Sequence, residues 1–276
     1  MTPAATRDGA LLWTRAPLRA VPGAASVRVT ATYAVILLVI YLILAALGPH
    51  AHQVAVSRMS TNVHNLGRGH LGTLIGSAFV DDGGDLYLWL PGLACLLALG
   101  ELMWCGRGLL LTFAVGHIGA TLIVAVGLVA AIETGMLPLS VARASDVGIS
   151  YGAMCVLGAF TAAVPARWRG VWAGWWLGTA VVAAAGADFT AVGHVVALLL
   201  GMGLSFRTRP VASWTPLRQA LLVVGVTFGY LVLAGPSLLA PVGGLAGALI
   251  GLAGNRSLVR GPRQRVDVVA AGGPGR

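Results

Sequence analysis

Apolar residues gather into eight long runs along the chain, near residues 31–48, 86–105, 109–132, 149–165, 171–187, 189–206, 219–234 and 237–254. Short breaks containing charge, glycine or proline separate most of them. Each run has roughly the length a helix needs to cross a hydrocarbon core of ~30 Å at ~1.5 Å of rise per residue. Lipid offers no partner to a backbone N–H or C=O, so runs of this kind predict helices, whose hydrogen bonds close within the segment. The pattern predicts an all-α polytopic membrane protein. The first run follows about thirty residues that include Arg7, Arg15, Arg19 and Arg28. No small-residue cleavage site accompanies it, and it reads as a retained span.

What lies between the runs divides the chain further. Residues 1–30 and 255–276 are rich in Arg, Gly, Ala and Pro and lack hydrophobic periodicity, which predicts disordered tails. The longest connection, from about Gly48 to Asp85, exceeds what a simple link requires, and such loops usually carry function or lie along the membrane surface. Small residues recur at every fourth position in two late runs: Gly193, Ala197 and Gly201, then Gly243, Gly247 and Gly251. Stripes of this kind let helix backbones approach closely in lipid, where apolar burial gives no drive for association.

Composition supports the membrane reading. The chain is 57% hydrophobic and 10% charged, far from the balance of a water-soluble globule. All 18 basic residues are arginine. With the N-terminus in the cytoplasm, only Arg58, Arg68 and Arg143 fall outside, whereas six of the nine acids do: Asp81, Asp82, Asp85, Glu133, Asp146 and Asp188. Positive charge on the inner segments predicts both termini in the cytoplasm of a bacterial plasma membrane. Topology then explains the net charge of +9, and no nucleic-acid partner is implied.

Chemistry-bearing residues are few. Cys95, Cys105 and Cys155 are odd in number and without CxxC spacing, and they read as core residues. His50, His52, His64 and His70 in the long loop have no carboxylate or cysteine among them at ligand spacing, so no metal is expected. No organic cofactor is implied. Glu101 and Asp188 fall near interfaces, which leaves no intramembrane acid for an ion path and argues against a transporter. His117, midway along the third run, reads as structural.

Two residues remain. Ser150 opens the fourth run and His194 lies about five residues into the sixth, both runs starting from the outer side. Their depths are compatible, and a Ser–His pair is the minimum for nucleophilic acyl transfer. The competing reading makes Ser150 a helix cap and His194 a donor to a neighbouring carbonyl.

The order of these features resembles the rhomboid family of intramembrane serine proteases, from about Leu74 to Gly201. "LIGSAFVDDGGDLYLWL" (Leu74 to Leu90) resembles the segment that leaves the family's first outer loop and enters its second span. "LGELMWCGRGLLLTFAVGHIGATL" (Leu99 to Leu122) resembles its acidic residue, Gly-Arg turn and small-residue-rich third span, here Glu101, Gly106, Arg107, Gly116 and Gly119. "GISYGAMCVLGA" (Gly148 to Ala159) stands where the family has its GxSG motif, and "GHVVALLLG" (Gly193 to Gly201) where it has the histidine of the sixth span.

The resemblance implies a six-helix core over residues 31–206, a Ser150–His194 dyad, and transmembrane proteins as substrates or clients. Residues 207–254 add a C-terminal two-helix hairpin. Three features depart from the family pattern: Tyr151 replaces the last glycine of GxSG, Ala197 stands in place of glycine, and Asp85 and Trp89 occupy the positions of an HxxxN pair that helps hold the oxyanion. An ionised Asp85 would repel developing negative charge, and one lost donor typically costs about 10²–10³ in rate. The oxyanion region thus comprises Asp85, Trp89, Gly148 and Tyr151. Two functions follow: a divergent intramembrane protease, or a non-catalytic relative that binds transmembrane segments.

Overall fold

The computed structural model describes residues 26–82, 85–147, 149–185, 189–205, 214–235 and 237–259. Gly148, Asp188 and most of both tails lie outside the described residues. Every regular element among them is helical: α1 (Arg28–Leu47), α2 (Pro49–Met59), α3 (Val63–Gly67), α4 (Thr73–Gly76), α5 (Leu86–Ala114), α6 (Ala120–Glu133), α7 (Ser150–Ala159), α8 (Ala166–Ala184), α9 (Phe189–Ser205), α10 (Pro216–Ala234) and α11 (Ala240–Val259). The protein is an all-α polytopic membrane protein. Arg28–Leu47, the stretch Leu86–Glu133 and Pro216–Ala234 are long and apolar enough to cross a membrane, and shorter apolar helices surround them. Large apolar side chains such as Leu88, Val126 and Ile250 are 80%, 71% and 73% exposed, as lipid-facing positions require.

The stretch from Leu86 to Glu133 is two antiparallel arms. Cys105 breaks it with φ 60° and ψ 168°, the sole positive φ at a non-glycine among the described residues. Gly106 follows and packs under Val29 of α1. The second arm passes from α5 into α6 through a π-helical turn, Val115–Gly119.

α1 begins at Arg28, earlier than its apolar run, because Glu101 substitutes for a cap. Glu101 Oε1 accepts the Val29 N–H at 2.9 Å. Its Oε2 accepts the Thr30 N–H and the Thr30 hydroxyl, each at 2.8 Å. Residue 27, the N-cap, is a valine and provides no side-chain cap. A buried carboxylate on orphan helix donors satisfies both the charge and the helix end.

The long loop holds α2, α3 and α4 and ends in a 3₁₀ turn, Ser77–Phe79. The Ser77 hydroxyl lies 3.1 Å from His117 Nε2, so the loop is pinned to the π-helical turn. His117 is buried at that turn.

α7 is the central helix. Met154, Cys155, Val156, Leu157, Ala159 and Phe160 are fully buried. Glycines set its neighbours close: a Cβ at Gly201 of α9 would collide with the Cys155 carbonyl, and one at Gly158 with the Leu198 carbonyl. α10 and α11 follow one another in the chain and lie on different core helices. α10 sits against α5, with Phe228 over Gly92 and Gly225 over Leu96. α11 lies antiparallel along α8, where Gly243, Gly247 and Gly251 meet Gly178, Gly174 and Gly170 backbone to backbone.

Candidate functional site

The N-termini of α7 and α9 lie at the end of the bundle that carries the long loop. Ser150 is the first residue of α7. The N-cap is Ile149, and no side chain caps the helix, so Ser150 does not serve as the cap. It is half-buried and lines a cavity of about 600 Å³. Trp89 and Gly92 of α5 form one wall, and Val223, Thr227, Phe228 and Leu231 of α10 the opposite one, with Asp81 at the rim.

His194 is buried in the second turn of α9, 9% exposed. The two helices run in parallel, and their register is visible in the glycine contacts. A Cβ at Gly193 would strike the Tyr151 ring, and one at Gly201 the Cys155 backbone. Ser150 is therefore level with the turn that carries His194. No hydrogen bond joins the two side chains among the described residues. The ring that meets His194 is that of Tyr151, edge to face, with centroids 5.4 Å apart and planes at 79°.

Of the four positions of the expected oxyanion region, the three described ones, Asp85, Trp89 and Tyr151, line different surroundings. Tyr151 is 3% exposed and turned into α9, so its ring does not crowd the cavity beside Ser150. Trp89 lines the Ser150 cavity and also a neighbouring hollow of about 320 Å³ between α1, α2 and α5. Asp85 is exposed at the N-cap position of α5 and lines that neighbouring hollow alone. Gly148 lies outside the described residues.

Sequence reasoning missed three participants. Asp81 lines both cavities. Thr227 and its neighbours on α10 supply a wall that no motif marks. Asp146, four residues before Ser150, is 9% exposed beneath the start of α7. Its N–H donates to Ser60 Oγ at 2.8 Å, and its carbonyl accepts the Thr61 N–H at 2.8 Å and the Thr61 hydroxyl at 2.9 Å. Burial pushes the Asp146 carboxyl up to about 6, opposed in part by the Thr61 hydroxyl, which donates to Oδ2 at 3.4 Å. A lone acid beside the serine motif was the available signal. Among the described residues, no group of three or more His, Cys, Asp or Glu is arranged to hold a metal.

Residues 18–214 match the profile of a family described as rhomboid-like protein. No curated protein and no solved structure matches the chain. The matched segment runs from ahead of α1 to the link before α10 and contains Ser150, His194 and every helix that positions them. By this match, which spans well over half of its length, the chain belongs to the family of rhomboid-like proteins.

Proposed function

We propose that the protein is an intramembrane serine endopeptidase that cleaves transmembrane-anchored substrates near the outer membrane face. The observation that supports this reading best is the parallel register of α7 and α9, with Ser150 opening onto a cavity between two membrane-spanning helices at the level of His194. Ser150 Oγ attacks the scissile carbonyl as His194 takes its proton. The imidazolium then returns that proton to the leaving amine, and water hydrolyses the acyl-enzyme by the same exchange.

Asp85 and Trp89 give the oxyanion little. The first turn of α7 has N–H groups without an acceptor inside the helix, and these point toward the helix N-terminus, where negative charge is favoured. They are the donors assigned to the oxyanion, that of Ser150 foremost.

A second reading rests on the same geometry. Ser150 and His194 are not hydrogen-bonded to each other, and an acid occupies a position where the family pattern has a donor. Both features suit a relative that binds transmembrane clients without cleaving them. A fluorophosphonate probe separates the two. Labelling of the purified full-length protein that disappears in Ser150→Ala supports the protease. Absence of labelling over the whole range from pH 5 to 9 supports the binding protein.

A further inference from the structure

The cavity at Ser150 has walls of two kinds. Trp89 and Gly92 of α5, with Ile149 and Ser150 at the start of α7, lie within the matched family segment, residues 18–214. The facing wall lies beyond it: Val223, Val224, Thr227, Phe228, Leu231 and Val232 all belong to α10, which begins at Pro216. A helix outside the matched segment therefore completes the space into which the serine opens.

α10 is seated firmly enough to hold a shape. A Cβ at Gly92 would come within 2.5 Å of Phe228 Cβ, and one at Gly225 within 3.0 Å of Leu96 Cα, so α5 and α10 approach as closely as glycine allows. Gly229 packs on Leu157 of α7 in the same way. Near the Cys105 turn the Arg218 guanidinium donates to the Leu102 carbonyl at 3.3 Å. Phe228 is committed to this seat and is 7% exposed.

The face that α10 turns to the cavity is apolar. Val223, Thr227 and Leu231 recur every fourth residue and form one stripe along it. Val223 and Leu231 are 65% and 59% exposed, so the stripe is open to a guest. Thr227 donates its one hydroxyl proton to the Val223 carbonyl at 2.9 Å, and the side chains of this wall then have no proton to offer. Polar atoms belong to the other sides of the cavity, to Ser150 itself, the Trp89 indole and Asp81 at the rim. A polar group laid on α10 would lose its water and gain no partner, whereas an apolar one gains the burial. At about 600 Å³ the cavity has room for a large apolar group beside the reacting carbonyl.

We propose that α10 is the specificity wall of the Ser150 site, selecting substrates that place a bulky apolar side chain beside the scissile bond, with Thr227 and Leu231 setting how bulky it can be. Both residues sit on the open stripe, whereas Phe228 serves the seat of the helix. The proposal rests on the protease reading above and adds to it the class of residue next to which the chain is cut. In an apolar pocket one methylene is worth about 10- to 200-fold in selection.

The test uses full-length protein in detergent micelles and two fluorophosphonates that differ in one substituent, an ethyl or an octyl group. Attack by the serine releases fluoride from either, so the ratio of labelling rates reads the pocket and leaves out the chemistry they share. The wild type takes the octyl probe faster. Thr227→Trp and Leu231→Trp each fill the space along the wall and lower the octyl-to-ethyl ratio by about 10-fold, the lower end of what one methylene is worth. Thr227→Val, close in shape and without the hydroxyl, keeps the ratio. So does Ile250→Trp, on an exposed position of α11 outside the cavity lining. Filled variants with the wild-type ratio, or a wild type that does not favour the octyl probe, overturn the proposal. If a tryptophan variant fails to fold, Leu231→Ala decides: the lost contacts lower the ratio, and an unchanged ratio overturns the proposal equally. A wild type that takes up neither probe refutes the protease reading and the proposal with it, an outcome distinct from those in which both probes react.

Discussion

At the scale of single residues, Asp146 carries a thermodynamic consequence that can be measured without any substrate. Its carboxyl titrates at about 6 in the folded protein against 3.8 ordinarily, with burial as the main cause. A group whose folded value is raised binds its proton more tightly in the folded state, so its contribution to stability is complete below the ordinary value. That contribution is lost as pH rises through the folded value. Between about pH 4 and 6 the wild type should therefore lose stability relative to Asp146→Asn, by up to roughly 2–3 kcal/mol for a shift of this size. Melting curves in detergent at pH 4 and pH 7.5 test this. A difference between the two proteins that stays constant with pH would show that the buried carboxyl does not titrate in this window. Tyr151 illustrates a second residue-scale point. Its place in the motif puts a bulky ring next to Ser150 in sequence, and the backbone of the first helical turn aims that ring across the interface at α9.

At the scale of elements, the spans were legible because the membrane imposes them. Backbone groups in lipid must be satisfied within the segment, so apolar length alone marks a helix. The run near 86–105 and the run near 109–132 became the two arms that meet at Cys105, and the depth shared by Ser150 and His194 followed from helical rise and connectivity. Side-chain contacts across the chain were not legible. The bond between Ser77 and His117 joins residues 40 apart, and the pairing of Asp146 with Ser60 and Thr61 spans 85–86 positions. Periodicity carries no record of such partners. The stripe on α11 was visible, while the matching stripe of Gly170, Gly174 and Gly178 lies among Arg167, Arg169 and several tryptophans and does not stand out. Those two stripes make a prediction. A Cβ at Gly247 would sit on the Gly174 carbonyl, so Gly247→Leu must separate α8 from α11 at a cost of about 1–3 kcal/mol. Because α11 rests mainly on α8, away from the Ser150 cavity, the variant should melt earlier and still label with the serine probe at the wild-type rate. Slowed labelling would mean that α11 also supports the site through α8.

At the scale of the whole molecule, the two ends of the bundle differ in charge, and the difference sets the face at which any chemistry occurs. Arg107 and Arg218 belong to the end that carries the Cys105 turn, and Arg218 reaches the Leu102 carbonyl there at 3.3 Å. Asp81, Asp82 and Asp85 belong to the opposite end, with the long loop and Ser150. If the arginine-rich end faces the cytoplasm, as the excess of positive charge predicts, Ser150 opens toward the outer leaflet. The native cysteines supply a reporter. Cys105 is exposed at the turn, whereas Cys95 is partly and Cys155 fully enclosed. An impermeant maleimide added to intact cells should leave the wild type unlabelled and should label Leu71→Cys, whose position in the long loop is 64% exposed. Permeabilised cells should then label the wild type at Cys105, and Cys105→Ala should abolish that signal. Labelling of wild-type Cys105 from outside, with Leu71→Cys silent, would invert the protein in the membrane. The Ser150 cavity would then face the cytoplasm, and substrates cleaved near the outer leaflet would be excluded on geometric grounds alone.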